Sequence, residues 1–533
     1  MKFFRLLCAG LFLLSLAMFL DACGGSSNDT AAMPETSVTV TGSVFASPVA
    51  GAAVVVTNAS GGTIAGPVTT APNGTYSIAI PSSDVTGTLF FHASGGTFTD
   101  EATGVTVTGG AMSACVSAAS LTTGAVHLDP SSSIIARMVM DHGKTLADAQ
   151  TAFSAVFGYA PDTSVAPMNA PTASATAAQR LAALRAMIFS QLTKDLGLGA
   201  DKQFDLLSAI TDDIADDDTL NGSALVSIGT TTLPQDIMNR MERSIVSCLT
   251  NTTMNMTGLT AAEIGALPFG KIALTTTYKV EYLPGMMAAT QGKTSFTIRI
   301  TNRSDGSPAT GLAVSLMPMM RMATMNHSTP VDAIIDNGNG TYTCTVYYLM
   351  ASGPGMGFWE LKVKIGGMMG ETATFYPAVS MAMGGSTVRS TLKGQSDIIS
   401  SMTGTEKRSY YLFRDGLSGT TGNHTFNLFI AAKESMMSYP ALSTLATTTL
   451  HDQNRTPWAV STVNVLASTD GSTWSSPAGE TARGHWSFSG LTGLVSGQTA
   501  TIYVKLNVNE EDKTTDGNAA SGANAYSAFK VIP

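Results

Sequence analysis

Between Met317 and His327 the chain reads Met-Pro-Met-Met-Arg-Met-Ala-Thr-Met-Asn-His, five methionines in nine residues with a histidine two positions on. Over the whole chain methionine is 28 of 533 residues, so the enrichment is local. Thioether sulfur is a soft donor that favours Cu(I), and imidazole suits copper in either oxidation state. Met317, Met319, Met320, Met322, Met325 and His327 are therefore the candidate ligands of a Cu(I) site. Three thioethers, or two with the imidazole, would make it trigonal. Alternate residues of a strand face opposite ways, so such a site needs a loop that leaves the strand before Pro318. Met350, Met356, Met368 and Met369 follow in the same region. The competing reading comes first: methionine fills irregular gaps in a core, and these side chains would then pack between two sheets. Exposed thioethers also scavenge oxidants. Copper is the only cofactor the residues suggest.

The elements that must position this cluster are strands. Residues 268–385 carry TSFTIRIT, GLAVSLMP, GTYTCTVYYLM and FWELKVKI, with apolar residues at alternate positions and Asn337-Gly338 and Asn339-Gly340 as a turn before the third. In the order Pro308 to Leu312, Met317-Pro318-x-Met320, Gly340-x-Tyr342, Met350 and Gly357-x-Trp359-x-Leu361, the region resembles the YtkA-like family of small β-sandwiches from bacterial envelopes. The resemblance implies a sandwich, and members of that family often occur beside metal-handling envelope proteins. Residues 386–533 look like a second, diverged copy. Tyr282-Leu283 and Thr290-x-Gly292-x-x-Ser295-Phe296 can be laid on Tyr411-Leu412 and Thr420-x-Gly422-x-x-Thr425-Phe426, Thr329-Pro330 on Thr456-Pro457, and WELKVKI on ATIYVKLNV. On that alignment STLATTTLHDQN replaces SLMPMMRMATMNH without one methionine, so a sandwich of this kind does not need them there.

Upstream, residues 37–126 alternate as VTVTGSVF, AAVVVTN, TYSIAI and TLFFHA, with Asn73-Gly74 expected to close a hairpin. Gly42-Ser43-Val44, Pro48-Val49-Ala50-Gly51-Ala52 and Pro72-Asn73-Gly74-Thr75-Tyr76 resemble the carboxypeptidase regulatory-like domain. That resemblance implies a small Ig-like β-sandwich serving as stalk or spacer, without peptidase activity. Residues 127–267 change to apolar residues three and four apart, which predicts about five helices. Pro161, Pro167 and Pro171 interrupt the pattern between the second and third, and Thr260 to Glu263 makes a capping box for a short last helix. The acidic run Asp212, Asp213, Asp216, Asp217 and Asp218 before Asn221-Gly222 fails the EF-hand spacing because Leu220 takes a ligand position, leaving a solvated helix end.

At the N-terminus Lys2 and Arg5 precede an apolar run that ends in Leu20-Asp21-Ala22-Cys23. This resembles a bacterial lipoprotein signal with its lipobox. The resemblance implies a signal peptide over 1–22 and a lipid on Cys23, with 23–36 as a tether. Gly24 after the lipidated cysteine favours the outer membrane, on its periplasmic or surface face. The expected partners are the membrane, through that lipid, and another envelope protein. Nucleic acid is excluded as a partner, since the formal net charge is −9 and binding it demands a basic face. Of the later cysteines, Cys115, Cys248 and Cys344, an oxidising compartment suggests one disulfide, expected between Cys115 and Cys248. No HExxH, GxSxG or Walker loop occurs, so no enzyme is expected. His451-Asp452 near Trp458 offers only a chance triad, Asn509 to Asp516 reads as a solvated hairpin, and Trp359, Trp458, Trp474 and Trp486 are expected mainly in cores. The fold class is thus multidomain and mainly β with an inserted all-α domain: an Ig-like β-sandwich, a helical bundle and two tandem β-sandwiches.

Overall fold

The computed structural model describes residues 36–264, 267–367 and 369–533. The expected signal peptide (1–22), Cys23, all of the tether but its last residue, and Met368 lie outside the described residues. Strand exceeds helix, 41% against 18%, so the chain is mainly β with its helices gathered in one stretch.

The first region alternates as the sequence requires. Thr75–Pro81 buries every second residue, and its inward Tyr76, Ile78 and Ile80 join Val40, Val54, Val56, Leu89 and Phe91 in one core. Ser37–Ser43 pairs with Thr75–Pro81, while Ala50–Asn58 lies between Thr63–Thr69 and Thr88–Thr99 in a second sheet. The Asn73-Gly74 turn therefore joins strands of different sheets and closes no hairpin, a correction to the expectation. Its geometry is still that of a tight turn: Gly74 has φ +79°, and a Cβ there would stand 2.8 Å from the Val44 carbonyl.

Helices follow at Pro130–Met140, Leu146–Phe157, Ala177–Asp195, Gln203–Asp217 and Ile237–Thr250, with a last short one at Ala261–Ile264. Two begin with reciprocal capping boxes, Asp129 with Ser132 and Thr176 with Gln179, which satisfy end N–H groups that the helix itself leaves open. The acidic run is organised from within: buried Asp213 accepts N–H bonds from Asn221, Gly222 and Ala224. The helical core continues into the first region through Phe90 and Cys115 and into the third through Phe358 and Tyr376. No helix of the described residues is long and apolar enough to cross a membrane.

The third and fourth regions share a strand order. In the third, one sheet runs Ile272–Leu274, Tyr278–Pro284, Gly292–Asn302, Thr341–Tyr348, Ile335–Asp336; in the fourth, Arg389–Ser401, Gly404–Thr420, Asn423–Ala432, His485–Leu491, Gly479–Ala482. The facing sheets are built on Val314–Arg321 against Phe358–Ile365, and on Val463–Ser468 against Ala500–Val508. The strand standing where Val314–Arg321 stands is thus VNVLAS and not STLATTTLHDQN. That shifts the expected alignment but leaves its point intact, since VNVLAS also lacks methionine. The two regions dock face to face. Tyr347 stacks on Phe429 with ring centroids 4.1 Å apart, and its hydroxyl donates to Asp415 at 2.8 Å.

Two further expectations are corrected. Cys115 and Cys248 carry free, buried thiols in separate apolar clusters, as does Cys344 in a third. Burial raises all three thiols, Cys115 and Cys344 to about 12. The run 509–516 is only half solvated. Lys513 is buried, 2.7 Å from Glu511 and 4.0 Å from Asp397, with its ammonium over the Tyr410 ring.

Candidate functional site

The methionine segment is a strand. Val314–Arg321 pairs antiparallel with Phe358–Ile365, setting Met317 opposite Lys362, Pro318 opposite Leu361, Met319 opposite Glu360 and Met320 opposite Trp359. Pro318 sits inside this ladder without breaking it. The N–H it lacks and its carbonyl point to the same flank, and there Ser328 Oγ donates to that carbonyl at 2.7 Å. No loop leaves before Pro318; the turn comes at 322–325, before the two-residue strand Asn326–His327.

Period two then divides the candidate ligands. Met317, 49% exposed, and Met319 share the outer face with Arg321, whose guanidinium donates to Glu360 at 2.8 Å. Met325, 42% exposed, stands out on the turn. Met320 points inward and is fully buried among Leu316, Trp359 and Leu361, while Met322 packs at the edge of that core. His327 is the register partner of Met320 and faces the same way. The six residues do not form one site. Met320 and His327 come together, and the outer thioethers are splayed away from them.

The residue that completes the inner pair, Met350, was named among the later methionines but not among the candidate ligands. Met350 Sδ lies 3.3 Å from His327 Nε2. It leaves the end of Thr341–Tyr348 and is held there by the Trp359 indole, which donates to the Met350 carbonyl at 3.0 Å. The Trp359 ring stands edge-on to His327 with centroids 5.5 Å apart. Only the resemblance to YtkA-like sandwiches, in which Met350 and Trp359 are motif positions, could have pointed to them.

The chemistry of the pair follows from its tautomer. His327 Nδ1 is 2.7 Å from the Ser328 carbonyl, which can only accept, so the proton is on Nδ1. Burial first, then the Lys433 and Arg389 charges, hold the ring's pKa below its ordinary value against the opposing pull of the Ser328 carbonyl. The ring is neutral, and Nε2 presents a lone pair to the lone pairs of a thioether. An imidazole whose other N–H is fixed on a backbone carbonyl is the usual arrangement behind a metal-bound histidine. His327, Met350 and Met320 are therefore the residues here that could hold a soft ion.

Among the described residues no group of three or more His, Cys, Asp and Glu side chains comes together that could hold a metal. His451 turns away from the triad the sequence offered: its Nδ1 faces Glu434 at 3.1 Å, while Asp452 accepts from the N–H groups of Asn454 and Thr456. Trp359 and Trp486 are core residues, and Trp458 and Trp474 are half-buried under the cations of Arg408 and Lys505. No protein-family model matches this chain, and no curated protein matches it.

Proposed function

We propose that this chain is an exported, lipid-anchored envelope protein that binds without catalysing, and that its ligand is Cu(I) held by His327 and Met350 with Met320 beside them. One observation carries the ligand: the His327 imidazole, its Nδ1 held 2.7 Å from the Ser328 carbonyl, turns its Nε2 toward a thioether sulfur 3.3 Å away. A soft monovalent ion accepts both an imidazole nitrogen and a thioether sulfur. The basic start, apolar run and Cys23 support the anchor, and Gly24 supports the outer membrane. In this reading the carboxypeptidase regulatory-like sandwich and the helices space a YtkA-like sandwich from the lipid. A second envelope protein delivers or receives the ion, and the acidic balance of the chain keeps nucleic acid away.

A purely structural or adhesive role is the second reading, and the complete burial of Met320 in the sandwich core favours it. Competition titration of Cu(I) against a chelator, under reducing conditions with the mature full-length chain, separates the two. Binding that is lost in the His327→Phe, Met350→Leu double variant supports the copper reading. No binding by the folded wild type leaves the structural one. For the anchor, labelling with a radioactive fatty acid should mark the wild type and spare Cys23→Ser; equal labelling contradicts lipidation at this residue.

A further inference from the structure

A groove of about 940 Å³ opens where the third and fourth sandwiches meet. Its walls bring Met325 from the turn after the methionine strand, Met402 from the turn that follows Arg389–Ser401, and Met436 and Met437 from the loop that follows Asn423–Ala432. Three of these side chains are open to solvent: Met402 is 74% exposed, Met437 48% and Met325 42%. Single exposed apolar residues need no explanation. Here thioethers from three separate segments line one groove.

The groove also holds a second histidine whose Nδ1 is engaged and whose Nε2 is not. His451 Nδ1 faces the Glu434 carboxylate, which only accepts, so the proton is on Nδ1 and Nε2 is left free on an exposed ring. Glu434 is anchored in turn by the buried Arg408 guanidinium and by the His451 N–H. A carboxylate orienting a histidine from behind is the outer support that metal-binding imidazoles use. The groove adjoins the inner pair directly: the N–H of Ser328, the residue after His327, donates to the Met436 carbonyl at 2.7 Å.

We propose that this groove is a second soft-cation site, in which His451 Nε2 and the thioethers of Met402, Met437 and Met325 capture Cu(I) at the surface before it passes to His327 and Met350. The proposal rests on the copper reading above and adds its outer station. Ligand exchange between thioethers and imidazoles leaves copper in the +1 state, so the passage requires no electron and no other reactant.

The test uses the mature full-length chain with three sets of substitutions compared with wild type: a groove variant (Met402→Leu, Met437→Leu, His451→Phe), an inner variant (His327→Phe, Met350→Leu), and both together. The wild type is expected to bind a second Cu(I) equivalent that the groove variant loses. The groove variant should still bind the inner equivalent but load it more slowly. The inner variant should keep the groove equivalent. A groove variant that binds as many equivalents as wild type and loads them as fast overturns the groove and leaves the inner site standing. A wild type that binds one equivalent, lost only in the inner variant, does the same. No Cu(I) binding by wild type overturns both. Methionine footprinting of the wild type needs no variant: redox-inert Ag(I) should protect Met402 and Met437 from peroxide oxidation while Met317 stays reactive. Equal oxidation of all three with and without Ag(I) refutes the groove.

Discussion

His485 is the joint between the last two sandwiches, and replacing it with glutamine should uncouple them in a pH-dependent way. Its Nε2 faces Asp332 of the third region at 2.9 Å, and its Nδ1 faces Asp415 of its own at 3.2 Å. Lys293 and the Tyr347 hydroxyl also hold Asp415, and the Phe429 ring covers the imidazole. The hydrogen bonds to Asp332 and Asp415, opposed by burial, lift the imidazole pKa from 6.5 to about 9. Asp415 is held below the usual carboxylate range: burial pushes it up, and bonds from His485, Lys293 and Tyr347 outweigh that. The lift on His485 corresponds to about 3 kcal/mol of preference for the imidazolium. Solvent reaches the seam, and screening roughly halves this to ~1.5 kcal/mol. Because the folded pKa is the raised one, this stability is fully present below pH 6.5 and is lost as pH rises through about 9. For a unit of this size ~1.5 kcal/mol moves a melting temperature by ~3–6 °C. Calorimetry of wild type and His485→Gln at pH 6 and pH 10 should show the variant lower by that amount at pH 6 and equal to wild type at pH 10. Equal melting at pH 6, or a deficit that persists unchanged at pH 10, would refute the bridge.

Met320→Ala should destabilise by about 2–5 kcal/mol because it empties a fully buried position, whereas Met317→Ala on the outer face should stay within about 0.5 kcal/mol; denaturant midpoints that move equally would contradict the assignment of faces. Arg408→Met removes a fully buried guanidinium that pairs with two half-buried carboxylates, Asp397 and Glu434, and should cost about 2–4 kcal/mol. A loss under about 1 kcal/mol in urea unfolding would show those acids are solvated. Thiol titration of the denatured chain without reductant should find Cys115, Cys248 and Cys344 all reactive, and reductant should leave the melting temperature unchanged. A single reactive thiol would restore the disulfide.

Much of the fold is legible because local periodicity decides it. The three-and-four spacing of Ala177–Asp195, opened by Thr176 and Gln179, and the alternation of Thr75–Pro81 both survive into the folded chain. What local pattern could not carry was partner choice. The strands either side of Asn73-Gly74 join different sheets because Thr75–Pro81 finds Ser37–Ser43, far behind it. Lys513 looks solvated in its charged run, yet it is buried because Asp397 and Glu511 meet it there. The site shows the same limit. Soft donors were visible as a cluster, but adjacency in sequence put Met317 and Met319 on the wrong face, and the sulfur that meets His327 belongs to a different strand end. Pro318 suggested a break, and it stays in the ladder because Ser328 serves its free flank.

The central claim is that His327 and Met350 share one Cu(I). X-ray absorption at the copper edge tests it most directly, on the full-length chain with the groove substituted (Met402→Leu, Met437→Leu, His451→Phe) and loaded with one equivalent. One nitrogen at about 2.0 Å with sulfur at about 2.3 Å, the sulfur contribution falling in Met350→Leu, is the predicted spectrum. A shell without nitrogen, or one unchanged by Met350→Leu, would contradict it.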